Sequence, residues 1–154
     1  MTKTVLKISD LNVRTGSGYP EPYNKEVKGR SNAALGNAFG LTQFGVNITT
    51  LEPGAWSSQR HWHLNEDELV YAIEGEMVIV DDTGRHPFKP GQCAGWKANT
   101  PNAHYITNEG NKPAKFLIIG TRALVEEANY PDIDMKYRRD ENGPRFMKKD
   151  GGPF

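Results

Sequence analysis

Between residues 41 and 122 short apolar runs recur at intervals too close for helices. Phe44, Val46 and Ile48 alternate with Gly45, Asn47 and Thr49, the period-two mark of a strand with two unlike faces. Residues 69–73 and 77–80 are β-branched and aromatic runs separated by Glu74-Gly75-Glu76. Asp81-Asp82-Thr83-Gly84 reads as a hairpin loop, and Glu52-Pro53-Gly54 and Pro90-Gly91 as turns. Residues 92–96, 104–107 and 115–119 complete the series, with a short polar segment at 59–63. About eight short strands at regular spacing predict an all-β fold, a closed or nearly closed antiparallel barrel or jelly roll.

The flanks carry less pattern. Residues 1–40 are expected to be an irregular N-terminal arm extended by the prolines of Tyr19-Pro-Glu-Pro-Tyr23, with one helical turn over 31–39 capped by Ser31 or Asn32. Residues 41–122 form the barrel. Residues 123–154 form an irregular C-terminal arm, with a short helix over 123–129 and then a charged, Gly/Pro-rich tail too poor in apolar residues to fold alone. Both arms are expected to wrap the barrel or cross to a second subunit.

Composition narrows the classes. A chain of 154 residues suggests one domain, and 16 glycines with 10 prolines favour strands and turns over a helical bundle. Lys+Arg and Asp+Glu are both 19, so the basic excess that nucleic acid or an anionic membrane requires is missing. No run approaches the roughly 18 apolar residues of a membrane span, and the N-terminus carries no apolar stretch of signal-peptide length. Cys93 is the single cysteine and has no disulfide partner in the chain. These features predict a cytoplasmic protein with no nucleic-acid or membrane partner.

Three of the four histidines fall in one pattern. His61 and His63 are two apart, so in a strand both imidazoles aim at one point. Glu68 follows five residues later, and His104 further on. Three imidazoles and a carboxylate on a β scaffold suit one divalent transition metal (Fe, Mn, Ni or Zn) and leave positions open for a small molecule. Glu66 and Asp67 flank Glu68, and either serves as the carboxylate if the loop shifts register.

At these residues the chain resembles the cupin superfamily. The first motif reads Gly54, then His61-Trp-His63, four residues, Glu68, six residues, Gly75. The second reads Gly91, Lys97 in place of proline, Asn99 in place of glycine, His104, and Asn108 four residues on. The steps from Gly54 to His61 and from Asn99 to His104 are longer than usual by one and two residues. Leu41-Thr-Gln-Phe-Gly-Val, Ser57-Ser-Gln-Arg-His-Trp-His, Gly120-Thr-Arg122 and Tyr130-Pro-Asp-Ile-Asp extend the likeness to a bacterial group of small single-domain cupins, some of them candidate sugar-phosphate isomerases. The resemblance implies a cupin-type double-stranded β-helix around one metal, often dimeric, and favours Glu68 as the carboxylate ligand.

Strand parity places Ser57 and Gln59 inward with His61, and Trp56, Ser58, Arg60 and Trp62 outward. Gln59 and Asn102 are therefore the expected substrate-binding residues, and an outward Trp62 suggests cover by an arm or a homodimer contact. Tyr71 is expected to pack on the face away from the metal, and Asn108 to fix a loop or orient His104. Cys93 reads as a buried inert thiol, and Arg122 as an ion pair with the tail. The expected function is isomerase-, lyase- or dioxygenase-type chemistry on a small polar or anionic metabolite. The competing readings are a non-catalytic, metal-dependent small-molecule binding module and a purely structural metal site.

Overall fold

The computed structural model describes residues 4–154, so positions 1–3 of the expected N-terminal arm lie outside the described residues. The elements in chain order are β1 (Val13–Thr15), β2 (Arg30–Ala34), the single turn α1 (Leu35–Ala38), β3 (Phe44–Leu51), β4 (Trp62–His63), β5 (Glu68–Glu74), β6 (Met77–Asp81), β7 (Gly84–Phe88), β8 (Cys93–Trp96), β9 (Tyr105–Thr107), β10 (Ala114–Thr121), β11 (Glu126–Tyr130), β12 (Met135–Asp140) and β13 (Gly143–Met147). They build a six-stranded sheet in the order β1-β2-β3-β10-β5-β8, a three-stranded sheet β7-β6-β9, and a four-stranded sheet β13-β12-β11-β4.

The core lies between the first two sheets. Leu51, Val70, Ala72, Ala114 and Phe116 from the large sheet meet Met77, Ile79, Phe88 and Ile106 from the small one, all buried. The tight turn between β5 and β6 depends on Gly75. Its φ of 80° is left-handed, and a Cβ there would stand 2.7 Å from the Cβ of Ala114.

The terminal segments are stranded rather than irregular. β2 pairs with β3 over Arg30↔Leu51 to Ala34↔Asn47. The turn expected over 31–39 begins only at Leu35, because Ser31 and Asn32 belong to the ladder; Ala34 precedes the turn with no side-chain cap. The pattern was hidden because Arg30 and Asn32 on β2, like Asn47 and Thr49 on β3, face an internal cavity, so the inward positions are polar. Likewise the helix expected over 123–129 is strand β11, with Glu126, Ala128 and Tyr130 alternately buried. A carboxylate at an inward position masks the period of two. Ala128, Tyr130 and Met135 then pack with Tyr19, Tyr23, Ile133, Tyr137 and Phe146 into a second small core, joining the two termini over one end of the barrel.

Candidate metal centre

His61 and His104 are held side by side by backbone. The N–H of His61 donates to the His104 carbonyl (3.2 Å), and the N–H of His104 donates back to His61 (2.9 Å). His63 is placed on β4 by pairing with Ala128, and Glu68 opens β5 between Trp96 and Gly120. Four side chains from three segments thus converge. His61 Nε2 lies 3.0 Å from His63 Nε2, His104 Nε2 lies 3.2 Å from Glu68 Oε1, and His63 Nε2 lies 3.6 Å from Glu68 Oε2.

The proton positions follow from the outer partners. His61 Nδ1 donates to the Gln59 carbonyl (2.9 Å) and His104 Nδ1 donates to the Asn102 carbonyl (3.1 Å). A carbonyl only accepts, so both Nδ1 atoms carry the proton and both Nε2 atoms present lone pairs to the centre. Those lone pairs and the Glu68 carboxylate lie within 4.8 Å of one another. A cluster of acceptors in a buried place calls for a cation. A metal with bonds of about 2.1 Å separates neighbouring donors by about 3.0 Å at a right angle and about 3.4 Å at the tetrahedral angle; the separations of 3.0 and 3.2 Å fall in that range and the His63–Glu68 separation of 3.6 Å is slightly wider. The residues present therefore fit a divalent transition metal.

The same demand for positive charge appears in the protonation of the side chains. Burial opposes charge on His63, but the carboxylates of Glu126 and Glu68 outweigh it and raise its pKa to about 10. Burial, reinforced by His63 and His104, lowers His61 to about 3. Glu68 is buried, which works to raise its pKa, yet the imidazoles of His104 and His63 beside it prevail and hold it well below the usual carboxylate range. Aromatic rings fix the imidazoles: Trp96 stacks on His104 at 3.5 Å between centroids, and Tyr130 stacks on His61 at 5.5 Å.

Other expected residues stand elsewhere. Gln59 does not face the cavity; its amide donates to the Tyr23 carbonyl (2.9 Å) and to Glu26 (3.0 Å). The reason is local: residues 57–60 form bends rather than a strand, so parity lapses, and Ser57 and Ser58 both line the cavity with His61. Asn102 is also away from the cavity lining. Its amide accepts from the Asp82 N–H and donates to Asp81, tying down the β6–β7 turn. Asn108 is fully buried and fixes its own loop through Leu51, Gly110 and Lys112. Glu66 is engaged with Arg139 and the Ala123 N–H and lies within 4.8 Å of His63 and Glu126, on the side of His63 away from the His61, Glu68 and His104 cluster, and Asp67 accepts from the Ala98 N–H. Tyr71 lies on the outer face, 43% exposed. Cys93 is exposed rather than buried. Arg122 donates to the Leu41 carbonyl and to Asn37, not to a carboxylate of the tail. Asn99, standing where the motif has glycine, takes a left-handed φ of 58°, which asparagine tolerates better than most residues.

Several residues at the site carry no sequence signal of their own. Glu126, 1% exposed, accepts the Leu64 and Asn65 N–H groups (3.0 Å each) and lies 3.4 Å from His63 Nδ1. Tyr19 and Arg30 line the cavity of about 180 Å³ beside the cluster, together with Asn32, Asn47, Thr49, His61, Glu68 and His104. Strand register brings Glu126 and Arg30 to the motif histidines, and the loop between β1 and β2 brings Tyr19.

Comparison with known proteins agrees with this architecture. The cupin domain family model matches residues 47–120. A sugar phosphate isomerase of the cupin superfamily from Silicibacter pomeroyi is 47% identical with a TM-score of 0.93, covering 97% of this chain and 96% of that one. A candidate sugar phosphate isomerase from Acidithiobacillus ferrooxidans is 29% identical with a TM-score of 0.72, covering 77% and 76%. A polyketide cyclase from Streptomyces resistomycificus, 19% identical with a TM-score of 0.61 over 77% and 79%, shares the fold alone. No curated protein matches the sequence. Near full-length likeness to a cupin at 47% identity, together with the cupin domain match, makes the chain a member of the cupin superfamily.

Proposed function

We propose that this cupin is a metal-dependent enzyme of isomerase type acting on a small polar or anionic metabolite. One divalent transition metal (Fe, Mn, Ni or Zn) is held by His61, His63, Glu68 and His104. The observation that carries the reading is the convergence of three acceptor groups, His61, Glu68 and His104, with His63 beside them, on a cavity of about 180 Å³, below the roughly 300–1,000 Å³ of drug-sized pockets. When bound, the metal supplies Lewis-acid polarisation of a carbonyl or hydroxyl oxygen. The chain itself orients the imidazoles through Gln59 and Asn102 carbonyls and narrows access with the terminal segments. Isomerisation also moves a proton, and Tyr19 lines the cavity with its phenol proton retained, because burial raises its pKa. The Silicibacter pomeroyi relative, a sugar phosphate isomerase, favours isomerisation over lyase or dioxygenase chemistry.

The proposal includes a homodimer and a cytoplasmic location. Trp62 is half-buried beside the C-terminal strands, so the support for a dimer comes from the large sheet instead. Its outer face aligns Tyr71, Leu117 and Ile48 in one row and Leu69, Ile119 and Val46 in another. With exposed Val13, Phe44 and Ile73 this face carries apolar side chains on four strands, β1, β3, β10 and β5, as a buried interface requires. The exposed lone thiol of Cys93 stays reduced in the cytoplasm.

Elemental analysis of the native protein and of His61→Ala tests the centre. About one metal per chain, lost in the variant, supports it; equal metal in both refutes the ligand set. Hydrogen–deuterium exchange of aldose and ketose phosphates in D2O, followed by NMR, then tests isomerisation. Tight binding without exchange would instead favour a non-catalytic binding module.

A further inference from the structure

Arg30 is a cation in the wall of the cavity with no anion beside it. Nη1 donates to the Ser57 carbonyl (2.6 Å) and Nη2 to the Gly16 carbonyl (3.0 Å), while the buried Nε has no partner. Arg60, Arg85, Arg138, Arg139 and Arg145 each pair with a carboxylate, but Arg30 pairs with none among the described residues. A guanidinium keeps its charge at any ordinary pH, so this is a largely buried charge with only neutral partners. Such a charge is costly to hold unless something compensates it. The two carbonyls lock the planar fork in place and leave other N–H groups unused.

Its neighbours are also donors. Tyr130 donates its hydroxyl hydrogen to Tyr19 Oη (3.4 Å), so the Tyr19 proton is free for another acceptor. Thr49 donates to Asn32 Oδ1 (2.6 Å), which leaves the Asn32 amide N–H₂ without a side-chain acceptor on that strand pair. The cavity is therefore two-sided: acceptors at His61, Glu68 and His104, donors at Arg30, Tyr19 and Asn32. We propose that Arg30, assisted by Tyr19 and Asn32, is the anchor for an oxyanion of the substrate, a phosphate monoester or a carboxylate, carried on the same small molecule whose other end meets the metal centre. This extends the function proposed above by naming the substrate's charged group, and it rests on that reading only for the second half of the statement.

The test uses inorganic phosphate and acetate as probes, titrated calorimetrically into metal-free and Mn²⁺-loaded protein. The variants are Arg30→Gln, Arg30→Lys and His61→Ala, with metal content measured in each. The expected result is phosphate or acetate binding to the wild type that weakens by about thirtyfold or more in Arg30→Gln while its metal content is unchanged. Arg30→Lys, which keeps the charge but loses the fork, should lie between, and it carries the test alone if Arg30→Gln fails to fold. The stronger probe assigns phosphate or carboxylate. Binding equal in the Arg30 variants and the wild type overturns the proposal, as does binding lost only in His61→Ala, or no binding of either probe. Arg30-dependent phosphate binding in a wild type that takes up no metal would sink the metal reading and leave the anion site standing.

Discussion

Replacing Glu126 by Gln isolates the carboxylate that backs His63 from the opposite side. Glu126 accepts one backbone N–H on each oxygen, from Leu64 and Asn65, and lies 3.4 Å from His63 Nδ1. The amide of Gln keeps one acceptor and turns N–H₂ toward the other backbone N–H, so one charge-assisted bond is lost and one buried donor is orphaned. That costs about 2–4 kcal/mol, within the roughly 5–15 kcal/mol stability of a domain, so the variant should fold. Loss of such a supporting partner behind a metal-ligating histidine typically lowers metal affinity about 10–100-fold. Competition with a fluorescent Zn²⁺ chelator measures the affinity, and urea unfolding of the metal-free protein measures the stability. A drop in both is expected. Metal affinity within about twofold of wild type, alongside a lowered unfolding midpoint, would show that Glu126 only ties the 64–65 backbone, and the carboxylate–histidine reasoning would be wrong.

With its pKa raised to about 10, His63 keeps a proton in the metal-free fold. Its contribution to stability is full below the ordinary value of 6.5 and is lost as pH climbs through about 10. Unfolding midpoints of the metal-free protein should fall over that window, and a flat profile would contradict the ion pairing with Glu126 and Glu68. Metal binding near pH 8 should displace this proton, so calorimetric enthalpies should differ between buffers of high and low ionisation enthalpy; identical enthalpies would refute it. Gly75→Ala should lose about 1–3 kcal/mol by urea denaturation, because a left-handed φ is combined with a Cβ 2.7 Å from that of Ala114. Asn102→Ala should lower thermal stability by about 1–2 kcal/mol while leaving metal content intact, since its amide serves the turn at Asp81 and Asp82. A loss of metal would restore it to the site.

The strands of the central segment were legible where the two faces differ simply. β5, β6 and β10 carry Val70, Met77 and Phe116 inward, and these fall within expected strands. The histidine pattern was legible because fixed spacing on extended backbone brings residues together without help from the rest of the chain. Parity failed at Gln59, where four bends replace a strand and re-aim each side chain independently. It also failed to reveal β2 and β11, since strands that line a polar cavity lack the apolar inner face by which strands are recognised.

That failure and the chemistry have one cause. On the proposed function the barrel holds a cation and a small polar molecule and cannot line that end with apolar side chains, and part of the inner surface is given to Arg30, Asn32, Asn47, Thr49 and Glu68. Polar inward residues weaken the core there, and the structure compensates by closing that end with Tyr19, Tyr130, Met135 and Phe146 from the two termini. The closing segments are not passive. They bring Glu126 to His63, stack Tyr130 on His61, and place Arg30 and Tyr19 in the cavity wall. The motif residues between 54 and 108 supply the acceptors of the centre, whereas the donors Tyr19, Arg30 and Asn32 in the cavity wall come from residues 19–32. Cupins sharing the histidine pattern are therefore expected to differ in substrate through the segments outside it, and exchanging residues 16–34 between two of them should move anion preference while leaving metal content unchanged. Anion preference that stayed with the barrel after such an exchange would place substrate discrimination in the motif region instead.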